Sequence, residues 1–179
     1  LAMAAYADLD TSVIDELPKG RQPIDTVVLS DRRRPEVIER VSRLLHSGEQ
    51  AYWVCPLIDD SENLEAMSVK VLSTQLQRAL PGIRMAELHG RMPSLDKAKV
   101  MAQFKSGEIQ LLIATTVVEV GVDVPNATLM VIENPERMGL SQLHQLRGRV
   151  GRGSARSHCV LLYASPLSAA GRTRLQVMR

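Results

Sequence analysis

The chain has few aromatic residues: one tryptophan, one phenylalanine and three tyrosines in 179 positions. They are Tyr6, Tyr52, Trp53, Phe104 and Tyr163. The core must therefore be aliphatic. Cysteine is scarcer still. Cys55 and Cys159 both lie within apolar runs (AYWVCPLI and HCVLLY), where buried, reduced thiols are expected. Two distant cysteines exclude a disulfide framework or a cysteine-based zinc site. No run of 18 apolar residues occurs and no secretory pattern opens the sequence, which points to a soluble, cytoplasmic protein with no membrane partner. Excess charge is also missing. A net +2 does not mark a broad nucleic-acid surface, so any basic site must be a local concentration.

What is present is an ordinary globular composition, 45% hydrophobic and 23% charged. The length suits one domain with a proper core. The sequence opens on Leu1 in mid-pattern, without an initiator methionine, and reads as a piece of something longer. Residues 1–23 end in PKGRQP, a breaker cluster, and read as a connector with one short helix.

Beyond it two periods alternate. Strands are expected at IDTVVLS, AYWVCPLI, IRMAELH, LLIAT, ATLMVIE and SHCVLLY. Helices are expected at RPEVIERVSRLLHSG, SENLEAMSVKVLSTQLQRAL (opened by Ser61), SLDKAKVMAQFKSG (capped by Ser94), SQLHQLRGRV and from SPLSAAGRTRLQVMR, with a helical turn over TVVEVG. Strands alternating with helices, several of them apolar on both faces, predict a mostly parallel sheet covered on both sides.

Function in such sheets collects beyond the carboxyl ends of the strands. The loops there hold HGRM at 89–92 and TTVVEVGVD at 115–123. Thr115 and Thr116 either bind phosphate at a helix start or cap it. Arg91, after Gly90, either holds a phosphate or faces water. Asp123, two residues past Gly121, either accepts from a ribose hydroxyl or fixes the turn before Pro125. His89 is either a site residue or a structural histidine.

The stretch QLHQLRGRVGR sets two glycines among three arginines. On a helix of about 100° per residue, Gln142, Gln145, Arg149 and Arg152 form one stripe. Leu143, Leu146 and Val150 form an apolar face. His144, Gly148 and Gly151 form a thin one, where another backbone could come close. Each glycine costs about 1 kcal/mol against alanine in a helix. A triphosphate, which demands close approach and paired positive charge, would account for the pattern; a solvated basic helix end would account for the charges but not for the glycines.

QLRGRVGR, together with TTVVEVGVDVPNA and ENPERMGLSQLHQLRGRVGRG, resembles the superfamily 2 helicases and translocases. More narrowly, the chain resembles the second motor lobe of RecG-type ATP-dependent DNA helicases over essentially its whole length. ENPERMG and DLDTSVIDELP favour that family over the related transcription–repair coupling translocases, and a non-catalytic nucleic-acid-binding module is the other alternative. The resemblance implies a RecA-like three-layer α/β sandwich of the P-loop NTPase type, spanning residues 24–165, with 166–179 beginning a helical hairpin used in translocation. It implies that Arg149 and Arg152 reach nucleotide phosphates and that Gln145 helps set the hydrolytic geometry. Gly121 and Asp123 would contact the nucleotide ribose, and His89, Gly90, Arg91, Thr115 and Thr116 would grip the DNA backbone. It further implies action on branched or double-stranded DNA, such as stalled forks and Holliday junctions, in recombination and repair. No G-x-x-x-x-G-K-[ST] occurs, and DEL at 15–17 follows a polar connector rather than a strand. ATP and Mg2+ are thus expected to need a preceding motor lobe, which with a wedge domain would complete the protein. This chain alone is expected to bind no cofactor and no metal.

Overall fold

The computed structural model describes residues 23–56, 62–115 and 123–178. Six strands run β1 (Ile24–Ser30), β2 (Gln50–Cys55), β3 (Met85–Leu88), β4 (Leu111–Thr115), β5 (Ala127–Glu133) and β6 (Ser157–Tyr163). Among the described residues five α-helices accompany them: α1 (Arg34–His46), α2 (Glu62–Ala79), α3 (Ser94–Lys105), α4 (Leu140–Arg147) and α5 (Ala169–Val177). The strands form one sheet in the order β1-β6-β5-β2-β4-β3. Every pairing is parallel, so the expected mostly parallel sheet is wholly so among the described residues. Residues 1–22 of the connector expected at 1–23, Ser61 and the TVVEVG turn lie outside the described residues.

Strand alternation divides the core in two. Tyr52, Val54, Leu112, Met130, Ile132 and Leu161 face one side, where Phe104 of α3, Leu143 and Leu146 of α4 and Leu175 of α5 cover them. Trp53, Ile113, Leu129, Val131 and Leu162 face the other, under Val37, Val41 and Leu45 of α1 and Val69, Leu72 and Leu76 of α2. The result is the three-layer α/β sandwich. The aliphatic expectation needs amending at the centre: Trp53, Tyr52 and Phe104 are the largest fully buried side chains. β2 lies between β4 and β5, so its flat rings fill the thickest part of both layers.

The helix stops follow from backbone geometry. Gly48 and Gly107 close α1 and α3 with φ of +97° and +89°, a region other residues avoid. Ser94 does not cap α3. It is the first helical residue, and Pro93, which offers no side-chain acceptor, holds the cap position. Among the described residues, no helix is long and apolar enough to cross a membrane.

Candidate functional site

α4 starts after Gly139, whose N–H donates to Gln142 Oε1 at 3.0 Å. Leu143 and Leu146 anchor it to the sheet. The helix closes at Gly148, whose N–H donates to the His144 carbonyl at 3.0 Å. A turn follows, with Arg149 N–H donating to the Leu146 carbonyl. Gly151 then takes φ +77° and donates its N–H to Ser157 Oγ at 2.9 Å. Residues 142–152 are therefore not one helix, and of the projected stripe only Gln142 and Gln145 lie on α4. Nor are Gly148 and Gly151 a thin face for another backbone. Gly148 ends a helix and Gly151 supplies a left-handed turn. The close approach falls at Gly153 instead, where an added Cβ would lie 2.6 Å from the Pro125 carbonyl oxygen.

The turn sorts the three arginines. Arg147 points inward and donates to the Met178 carbonyl at 2.6 Å and to Thr26 Oγ1 at 3.3 Å. Burial pulls its pKa below the ordinary value. Arg152 points outward, donating from Nη1 to Asp123 Oδ1 at 2.6 Å and from Nε to the Gly148 carbonyl. Arg149 lies close enough to share its field with Arg152 and Asp123 at the Tyr52 hydroxyl. Gln145 is exposed on the outer side of α4.

This cluster sits where strands begin, because Ser157 opens β6 and Pro125 precedes β5 by two residues. Asp123 is therefore not beyond a strand's carboxyl end. The crossover from β4 to β5 has already carried the chain to the opposite edge of the sheet. His89 and Thr115 do lie at the carboxyl edge, one step past the Leu88–Ala114 register pair. Thr115 is buried, while Gly90 and Arg91 are exposed in the turn that closes through Met92 N–H to the His89 carbonyl. His89 Nδ1 is buried without a hydrogen-bond partner. The residues singled out from sequence thus fall into two groups on opposite edges, with Thr116 and Gly121 outside the described residues.

Two features escaped the sequence. Glu133, at the carboxyl end of β5, accepts both Arg34 Nη1 and Arg34 Nη2 (the latter at 2.6 Å) and also Trp53 Nε1 at 3.0 Å. Nothing local signals a partner 99 residues away. The second is Tyr52, whose hydroxyl is buried and unpaired.

A model of the helicase conserved C-terminal domain matches residues 36–154, which hold all of both groups. The chain belongs to the helicase C-terminal domain family. It is 61% identical, over its whole length, to the ATP-dependent DNA helicase RecG of Escherichia coli K12, and 59% identical to that of Acidithiobacillus ferridurans. It spans 26% of the length of each of those relatives. Among solved structures, RecG bound to a three-way DNA junction superposes with a TM-score of 0.77 at 40% identity, covering 92% of this chain and 21% of that one. The C-terminal domain of the DEAD-box protein Dbp5 superposes at 0.63 with 16% identity, covering 86% and 82%, a likeness of fold alone. The sheet and its two helix layers are thus those of a RecA-like helicase C-terminal domain, and RecG-like helicases depend on ATP.

The cationic pair and the carboxylate carry the charges that a nucleotide's phosphate and ribose ends would recognise. Among the described residues, no group of three or more His, Cys, Asp or Glu could hold a metal.

Proposed function

We propose that the chain is the second motor lobe of a RecG-type, ATP-dependent helicase acting on branched DNA at stalled forks and Holliday junctions. The observation that carries this is the Arg149–Arg152–Asp123 cluster at the amino edge of the sheet, in a chain similar to RecG from end to end. Bound ATP would supply a terminal phosphoryl group that gathers negative charge as it transfers. Arg149 and Arg152 would stabilise that charge, Gln145 would orient the attacking water, and Asp123 with Gly121 would accept from the ribose. Arg152 must leave Asp123 to do so. Their ion pair is exposed, at 38% and 64%, so opening it costs at most about 1 kcal/mol. An arginine finger supplies roughly 4–7 kcal/mol at the transition state, so the phosphate wins.

The phosphate loop and Mg2+ ligands would come from a preceding motor lobe, and fork recognition from a wedge domain. His89, Gly90, Arg91, Thr115 and Thr116 would meet the DNA backbone at the other edge, with contacts indifferent to sequence and sensitive to salt. Residues 1–23 would connect the lobes, and 166–179 would begin the translocation hairpin. Arg147 and Arg174 fasten that segment to this lobe, Arg174 through the Glu136 and Met138 carbonyls. Such a motor works on cytoplasmic DNA.

The test is Arg149→Ala and Arg152→Ala in the full-length protein. Each is expected to lower ATP turnover by about 10³–10⁵-fold with the fold intact. Near-normal turnover in both removes the reading.

A further inference from the structure

β1 ends the sheet, with β6 on one side and no described strand on the other. On the face bordered by α1, an open groove runs beside it. Val27 and Leu29 of β1 and Val160 of β6 form its floor, and Arg33, Arg40 and Arg43 form a cationic rim. Arg40 and Arg43 also line a second hollow with Arg156 and His158, beside the start of β1. Most charges here are already matched. Arg33 pairs with Glu36 at 2.7 Å and Arg156 with Asp25 at 2.5 Å. Glu49 accepts from Thr128 Oγ1 at 2.8 Å and from Ser47 Oγ at 3.1 Å. Arg40 and Arg43 differ. They are exposed neighbours on α1, three positions apart, and neither forms an ion pair with a described carboxylate.

We propose that this groove is the docking site of residues 8–17 of the same chain, held by their carboxylates to the arginine rim. That segment reads DLDTSVIDEL, with four carboxylates, no cation, and the apolar Leu9, Val13, Ile14 and Leu17. Only PKGRQ, residues 18–22, separates it from Pro23. The register of Ile24 on Ser157 sets Pro23 beside Arg156, at the mouth of the second hollow. Pro18 and Gly20 are residues at which a chain reverses. A reversed chain meets the groove in a fixed order, because α1 returns from the carboxyl edge to the amino edge. Asp15 and Glu16 come first and meet Arg43 and Arg40 through charge-assisted hydrogen bonds. Val13 and Ile14 then cover Val27, Leu29 and Val160, and Asp8 and Asp10 reach toward Arg33. The lengths agree: the seven residues of β1 span roughly 23 Å, and ten extended residues reach about 33 Å. A phosphate backbone would use the arginines and leave the apolar floor bare. Docked in this way, the connector leaves the lobe at the carboxyl edge of the sheet, not at the amino edge where β1 begins. None of this depends on the nucleotide reading.

The experiment follows amide hydrogen exchange at residues 8–17 in the full-length protein. Exchange there is expected to be at least about tenfold slower than in a free chain. Arg40→Glu with Arg43→Glu should remove that protection, and adding Asp15→Arg with Glu16→Arg should restore it. The amides of β5 serve as the internal control. Should the double reversal open β5 as well, Val13→Asp with Ile14→Asp decides in its place, since it leaves the lobe unchanged and should release the segment. Free exchange at 8–17 in the wild type overturns the proposal. So does protection that survives the arginine reversal or the Val13 and Ile14 changes, because the segment is then held elsewhere. Protection that rises with protein concentration assigns the groove to a second copy, and protection that needs added DNA assigns it to nucleic acid; either also overturns it, as does failure of the charge swap to restore protection. ATP turnover in Arg149→Ala and Arg152→Ala reports separately on the nucleotide reading.

Discussion

Gly153 lies so close to Pro125 that a Cβ on it would come within 2.6 Å of the Pro125 carbonyl oxygen. That contact clamps the end of the arginine-bearing turn against the segment carrying Asp123, two residues before Pro125. It explains how Arg152 and Asp123, 29 positions apart, are held at 2.6 Å on an exposed surface.

Gly153→Ala is expected to push the two segments apart, costing about 1–3 kcal/mol as overpacking does, and to lower ATP turnover of the full-length protein. Gly148→Ala is the contrast. Its backbone is right-handed and an added Cβ meets nothing nearer than 3.4 Å, so stability should stay within about 0.5 kcal/mol. Equal effects from the two substitutions would contradict the clamp.

Glu133 is a buried carboxylate serving two donors, Arg34 and Trp53. Glu133→Ala leaves both without it. Breaking a buried pair costs about 3–5 kcal/mol, and Arg34 is 32% exposed, which argues for the low end. At about 3 kcal/mol the melting temperature should fall by roughly 6–12 °C. Trp53, the sole tryptophan, provides the fluorescence signal. A fall under about 2 °C would show that the network contributes little.

Stability should depend on pH through His158. Burial first, then the Arg40 and Arg156 guanidiniums, hold its pKa below the ordinary 6.5, against the opposing pull of Asp25 and Glu49. The unfolded chain therefore binds this proton more readily. Stability is full above about pH 6.5 and declines as pH falls from there toward the depressed value. His144, lowered by burial and by Arg147, adds to the same slope. Asp25 acts further down. Its hydrogen bond from Arg156 holds it below 3.8, so its contribution is lost only below that pH. The melting temperature should drop between pH 7 and 5, and less steeply in His158→Gln. An unchanged slope in that variant would remove His158 as the cause.

The sequence by itself determined the layered α/β architecture. IDTVVLS, LLIAT, ATLMVIE and SHCVLLY coincide with β1, β4, β5 and β6, and β4 and β5, buried at every position, are the nearly continuous apolar runs that cover on both faces calls for. It also marked the residues of the candidate site, through motifs whose spacing is local. Tertiary structure alone decided which of them meet. The strand order, the sides on which crossovers end, the Gly153–Pro125 contact and the reach of Arg34 to Glu133 all depend on residues far apart in the chain. Periodicity is read within about ten residues, and it carries no information on what a side chain finds across the sheet. Arg147, Arg149 and Arg152 differ little as letters. Only the turn after α4 sends one into the lobe and another to its surface.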